Sequence, residues 1–200
     1  MSFLKRLFGK RRKPVIVVSG LPRSGTSMMM KMLEAGGVEI LTDHIREANI
    51  DNPKGYYEFE RVKKLPDGDT EWLGEACGKA VKVISALLLH LPGDYNYKVL
   101  FMRRHMEEIL ASQRKMLIRR GEPTDRVDDG AMAQMFEKHL GKVYAWMDEQ
   151  PHVEYVDVDY NEVLADPRSV IAQVDRFLDV DLDTAVMAAV VDPSLYRQRR

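Results

Sequence analysis

One cysteine, Cys77, in 200 residues excludes an intramolecular disulfide and a zinc site built on several thiolates. A lone thiol fits a reducing compartment, so a cytoplasmic location is expected. No apolar run approaches the ~18 residues of a membrane-crossing helix. No internal repeat, low-complexity tract or Pro/Gly-rich linker divides the chain, so residues 14–200 read as one domain. The net charge of −1 holds no excess of either sign, and no nucleic-acid partner is expected.

That small total conceals strong local polarity. Residues 1–13 carry six bases and no acid, residues 103–120 six bases against two acids, and residues 121–183 sixteen acids against five bases. Segregated charge of this kind marks candidate anion sites. The first thirteen residues, MSFLKRLFGKRRK, mix Phe3, Leu4, Leu7 and Phe8 with the bases, too short and too interrupted for a secretory signal. They read as a flexible basic arm, with weak contact to an anionic membrane surface as the functional alternative.

PVIVVS (14–19), AVKVIS (80–85), KVLFM (98–102) and VEYVDV (153–158) have the β-branched, apolar character of buried strands. Helical spacing runs from Thr26 to about Ala35, where Gly36-Gly37 ends it, and through Met106, Ile109, Leu110, Gln113 and Leu117. It recurs through Met132, Met135, Phe136, Leu140, Val143 and Met147, and again after Pro167 through Val170, Val174, Phe177 and Leu178. Most of the methionines fall at such positions and are expected to pack in the core. Strands alternating with helices predict a three-layer α/β fold with a central parallel sheet.

Gly20-Leu-Pro-Arg-Ser-Gly25-Thr26-Ser27 lies between the first strand and the first helix. It has the glycine spacing and final hydroxyl of a phosphate-binding loop, with Thr26 where a lysine is usual. Backbone N–H groups and a helix N-terminus still favour an anion there, and Arg23 supplies the cation. A nucleoside-triphosphate enzyme would add a strand-end aspartate for Mg²⁺. The third strand ends instead in Met102-Arg103-Arg104, which attracts anions, so a phosphate site that works without a metal is expected. Arg104 at a strand–helix junction suits a ligand above the carboxyl ends of the sheet, and Ser112 lies about two helical turns on.

Together these segments resemble the sulfotransferases that use 3′-phosphoadenosine 5′-phosphosulfate (PAPS). The resemblance rests on Pro22-Arg23-Ser24-Gly25-Thr26-Ser27 and on Arg104 with Ser112 eight residues later. Weaker likeness appears in Asn52-Pro53-Lys54-Gly55-Tyr56-Tyr57-Glu58, Tyr160–Arg168 and Asp192–Arg197. It implies a P-loop fold, with Pro22 to Ser27 around the 5′-phosphosulfate, Arg104 and Ser112 at the 3′-phosphate, and Arg197 closing over that phosphate. It implies in-line transfer of a sulfuryl group to a hydroxyl or amine of a small-molecule or peptide acceptor, leaving adenosine 3′,5′-bisphosphate, with no metal. Arg23 would stabilise charge on the leaving oxygen.

The general base departs most from the family pattern. Cytosolic members carry Lys-Thr-His-Leu-Pro where this chain has Lys82-Val83-Ile84-Ser85-Ala86. Lys82 retains a cation there, and His90-Leu91-Pro92 falls several residues late. Asp43, His44 and Glu58, in the segment after the first helix, are the alternative bases. Two other readings stay open: a P-loop nucleotide or nucleoside kinase, and a protein that binds an adenosine bisphosphate without catalysis.

Overall fold

The computed structural model describes residues 12–43, 57–124 and 128–191. Four parallel strands form one sheet: β1 (Val15–Gly20), β2 (Ala80–Lys82), β3 (Tyr97–Arg103) and β4 (Val153–Asp159), in the order β2-β1-β3-β4. Every residue of β1 is buried, which explains its unbroken apolar run: a central strand in a parallel sheet has helices on both faces. Its end at Gly20 lies beside Met102 of β3, and Arg103 lies beside Asp159 of β4. The loop after β1 and the arginine pair after β3 therefore open at the same, carboxyl edge of the sheet. Such edges are where parallel α/β folds bind ligands.

The alternation of side chains along β1 divides the core. Val15 and Val17 face one way, with Trp72, Leu73, Val99, Phe101, Val143 and Met147. Ile16 and Val18 face the other, with Met29, Met30, Leu33, Leu100, Ile171, Val174, Leu178 and Met187. The first face is covered by a 3-10 helix (Glu60–Asp67), α2 (Leu73–Ala76), α3 (Ser85–Leu88) and α5 (Asp129–Glu149). The second is covered by α1 (Thr26–Ala35), α7 (Pro167–Leu178) and α8 (Thr184–Val190), with α6 (Tyr160–Ala165) leading into α7. Helix α4 (Met106–Arg120) follows β3. The three expected layers are present.

Two expectations change in detail. The second strand stops at Lys82 instead of running to Ser85, because Ile84 becomes the extended N-cap of α3. The apolar stripe of α5 is only half used: Val143 and Met147 are buried, whereas Met135 is 59% exposed. The acidic stretch also resolves into a structural pattern. Asp128, Asp159, Asp166 and Asp183 accept hydrogen bonds from first-turn amides of α5, α6, α7 and α8. Each such cap contributes about 1 kcal/mol to its helix. Glu154 and Asp157 lie exposed on the edge strand β4, where charge discourages pairing with another chain.

Candidate active site

The phosphate-type loop is shaped by backbone conformations that few residues accept. Gly20 (φ +144°), Arg23 (φ +72°) and Gly25 (φ +104°) all have positive φ. A Cβ on Gly20 would stand 2.5 Å from Ser24 Oγ and 2.6 Å from the Met102 carbonyl oxygen. A Cβ on Gly25 would stand 2.5 Å from Cδ2 of Tyr160. The glycines at this spacing are therefore required by close approach as well as by torsion. Arg23 holds a left-handed conformation without that excuse, which stores of order 1–3 kcal/mol of strain, as residues at functional sites often do. Gly25 is the N-cap of α1 and gives no side-chain cap, and no acid occupies the first turn. The positive end of that helix is left for an anion.

The loop and the second arginine stretch are joined directly. Arg23 Nε donates to Ser112 Oγ at 2.9 Å, and an Nη of Arg104 donates to the Arg23 carbonyl oxygen at 3.1 Å. The resemblance groups Ser112 with Arg104; in the structure Ser112 meets Arg23, and Arg104 has further partners. Its Nε donates to Glu108 Oε2 at 2.9 Å, and its guanidinium lies 4.4 Å over the Tyr160 ring. Asn161 Nδ2 donates to both oxygens of Glu108, at 3.1 and 3.3 Å. Tyr160 thus touches both stretches, covering Arg104 with its face and Gly25 with its edge. Burial pushes its phenol pKa up, with the Arg104 charge acting the other way.

Lys82 reaches the same loop from β2. Its Nζ stands 3.2 Å from Ser27 Oγ, the hydroxyl that holds Mg²⁺ in nucleoside-triphosphate enzymes. A cation against that oxygen suits an anionic ligand and opposes a metal. Among the described residues no cluster of His, Cys, Asp and Glu has metal-holding geometry. The Ser24 hydroxyl, 1% exposed, has no hydrogen-bond partner among the described residues. Thr26 is also buried, at the start of α1, and Pro22 is exposed.

The candidate bases after α1 serve visible structural ends. Asp43 Oδ2 accepts from the Glu60 amide at 2.6 Å, and Thr42 Oγ1 donates to the Glu58 carbonyl oxygen at 2.8 Å. Lys63 stands 3.8 Å from the Glu58 carboxylate. His44, Asn52–Tyr56, Arg197 and residues 1–11 lie outside the described residues. Tyr57, at the end of that segment, donates to Glu34 Oε2 on α1 at 2.6 Å. His90, the imitation of the family histidine, is exposed on the turn after α3. The sequence did not single out Glu108, nor His139, whose Nε2 lies 2.9 Å from Ser85 Oγ. An acid four residues after Arg104 was the one available signal for the first.

The model of the sulfotransferase family matches residues 44–184. The chain belongs to the sulfotransferase family. The phosphate-type loop at 20–27 precedes the matched stretch, and its placement against Ser112 and Arg104 joins it to the rest of the family domain. The sulfotransferase STF1 of Mycobacterium tuberculosis H37Rv superposes with a TM-score of 0.57 at 16% identity, over 92% of this chain and 73% of that one. The sulfotransferase domain of the Synechococcus PCC 7002 olefin synthase gives 0.54 at 16%, over 96% and 85%. The sulfotransferase domain from the curacin biosynthetic pathway gives 0.53 at 13%, over 96% and 93%. At these identities the likeness is one of fold. No curated protein matches this sulfotransferase in sequence. No helix among its described residues is long and apolar enough to cross a membrane.

Proposed function

We propose that this sulfotransferase moves a sulfuryl group from PAPS to a hydroxyl or amine of an acceptor and releases adenosine 3′,5′-bisphosphate. The observation that carries the reading is the Arg23–Ser112 hydrogen bond together with the Arg104–Arg23 contact. It brings the loop after β1 and the stretch after β3, with Arg23 and Ser112 89 positions apart in sequence, into direct contact, which supports one site that meets both phosphate-bearing ends of a nucleotide. The buried, unpartnered Ser24 hydroxyl and the Lys82–Ser27 contact fit an oxygen-rich ligand in the loop.

In this reading the loop amides and the α1 N-terminus hold the 5′-phosphosulfate, while Arg23 neutralises the negative charge that grows on the bridging oxygen as the sulfur–oxygen bond breaks. Lys82 faces the sulfuryl oxygens from the other side. Arg104 and Ser112 recognise the 3′-phosphate, and Glu108 and Tyr160 hold the guanidinium of Arg104 in place. The donor supplies an activated sulfuryl group; the protein supplies orientation and fixed positive charge. Each charge-assisted hydrogen bond of this kind contributes about 1.5–3 kcal/mol.

Calorimetry in the presence of a chelator tests it. Adenosine 3′,5′-bisphosphate should bind without metal and more tightly than ATP with Mg²⁺. Tighter binding of ATP with Mg²⁺ would instead favour a kinase.

A further inference from the structure

The proton that an acceptor must lose needs a base at the carboxyl edge of the sheet. Among the described residues two imidazoles bear on that edge: His105, whose Nδ1 faces the Glu108 carboxylate at 3.5 Å, and His139, whose ring is held by Ser85. Ser85 opens α3, three residues after Lys82, and is 1% exposed. Lys82 Nζ in turn touches Ser27 of the loop, and three residues, at most about 10 Å of backbone, lead from Lys82 to Ser85 at the start of α3. The Ser85 hydroxyl lies 2.9 Å from Nε2 of His139 on α5, and among the described residues each is the other's only hydrogen-bond partner.

The course of α5 puts His139 at the ligand-binding edge. The helix ends at Glu149 and leads into Val153, which pairs with Tyr97 at the amino end of β3, so α5 runs antiparallel to the strands. Higher up, Tyr144 accepts from Arg103 at 2.8 Å and donates to Asp157 at 2.6 Å, which sets it beside the carboxyl end of β3. His139 lies five residues earlier, about 7.5 Å nearer the carboxyl edge and about 140° round the helix. That rotation turns it from the β3–β4 side toward α3 and β2. The same climb explains why Met135, one further turn along, leaves the core.

Resting on the PAPS reading above, we propose that His139 is the general base of the transfer and that Ser85 is its positioning residue. Ser85 Oγ fixes the orientation of the ring, and in the tautomer with Nε2–H donating to it the lone pair of Nδ1 is left for the acceptor proton. In the step, the acceptor oxygen forms a bond to sulfur. The bond from sulfur to the 5′-phosphate oxygen breaks, with its electron pair staying on that oxygen. The acceptor proton passes to Nδ1. Burial, and then the Lys142 ammonium, lower the His139 pKa, so the ring is neutral and basic at pH 7. The other groups on the packed elements leave this unopposed. Residues Ser85–Leu88 of α3 carry no ionisable side chain, Arg114 of α4 is paired with Asp129, and Asp157 of β4 is held by Tyr144.

The test uses the full chain, with PAPS as donor and water as the acceptor probe, and follows release of adenosine 3′,5′-bisphosphate in the presence of a chelator. His139→Gln should lower turnover on the order of 100-fold while affinity for the bisphosphate stays within about twofold. Wild-type turnover should show an acid limb on the acid side of the ordinary imidazole range, and the variant should lose it. Ser85→Ala should lower turnover roughly tenfold, again with the bisphosphate bound normally. Wild-type turnover and an intact acid limb in His139→Gln would overturn the assignment. If that variant also fails to bind the bisphosphate, Ser85→Ala decides: a fall in turnover with retained affinity supports the dyad, and an unchanged rate refutes it. A wild type that neither binds the bisphosphate nor turns over PAPS overturns the donor reading and this inference together; an active wild type with an equally active His139→Gln overturns this inference alone.

Discussion

Replacing Arg104 with methionine separates stability from recognition. The Arg104 and Glu108 side chains are 8% and 3% exposed and stand 2.9 Å apart. Without the guanidinium, Glu108 is left with Asn161 and the His105 ring, 3.5 Å away, as its described partners. Removing one member of a buried ion pair costs about 3–5 kcal/mol, because the other charge stays desolvated. A domain of this size has roughly 5–15 kcal/mol in total, and each kcal/mol moves its melting temperature by about 2–4 °C. Arg104→Met should therefore melt roughly 6–20 °C lower. Adding Glu108→Gln removes the orphaned charge while keeping an acceptor for Asn161, so the double variant should regain most of the loss. Recognition should not return with it. If Arg104 makes one charge-assisted hydrogen bond to the 3′-phosphate, both variants should lose roughly 10- to 150-fold in affinity for adenosine 3′,5′-bisphosphate, with adenosine 5′-monophosphate almost unaffected. Thermal melts and calorimetry with the two nucleotides supply both readings. Equal losses for the two nucleotides, or recovery of bisphosphate affinity in the double variant, would refute the reasoning.

Gly25→Ala should destabilise the domain by about 1–3 kcal/mol in urea titrations and weaken bisphosphate binding, since its Cβ would meet Tyr160 at 2.5 Å from a left-handed backbone; wild-type behaviour would contradict the packing described. Lys82→Met should lower PAPS turnover on the order of 100-fold, as loss of one transition-state cation does, with little change in the bisphosphate dissociation constant; a loss confined to binding would move Lys82 out of the sulfuryl site. Asp159→Ala removes a cap accepting from Asn161 and Glu162 at 2.7 and 3.1 Å, and should cost about 1 kcal/mol in a chemical melt.

The strands and the long helices were legible because burial on one or both faces imposes a period on the sequence. The unbroken valines of β1 and the stripe of α7 (Val170, Ile171, Val174, Leu178) are direct records of that burial. Where an element is short or leaves the core, the record fades. Helix α8 is seven residues of TAVMAAV, in which only Met187 is buried, and its identity comes from the Asp183 cap and from packing on Gly36. Helix α5 keeps an apolar stripe past the point where it has a sheet to cover, so pattern alone overstates its buried length.

The site shows the same division. Its cations were readable, because Arg23 lies in a recognisable loop and Arg104 ends a strand. The wiring between them was not, since a hydrogen bond from Arg23 to Ser112 spans 89 positions and depends on how the sheet sets the loop after β1 beside the helix after β3. Ser85 and His139 are 54 positions apart and meet only because α5 climbs past the end of β2. Glu108 was hidden for a different reason: an acid among arginines on a helix reads as a surface pair, and only its burial makes it a support for Arg104.

In the proposed function, two joined anion foci hold an activated sulfuryl donor and discharge it. Its most direct test is incubation of the full chain with PAPS and a chelator, with and without Arg23→Ala, followed by measurement of adenosine 3′,5′-bisphosphate. The wild type should release it without metal, and the variant should lose that release by a factor on the order of 100 or more. No release by the wild type, or equal release by both, would contradict it.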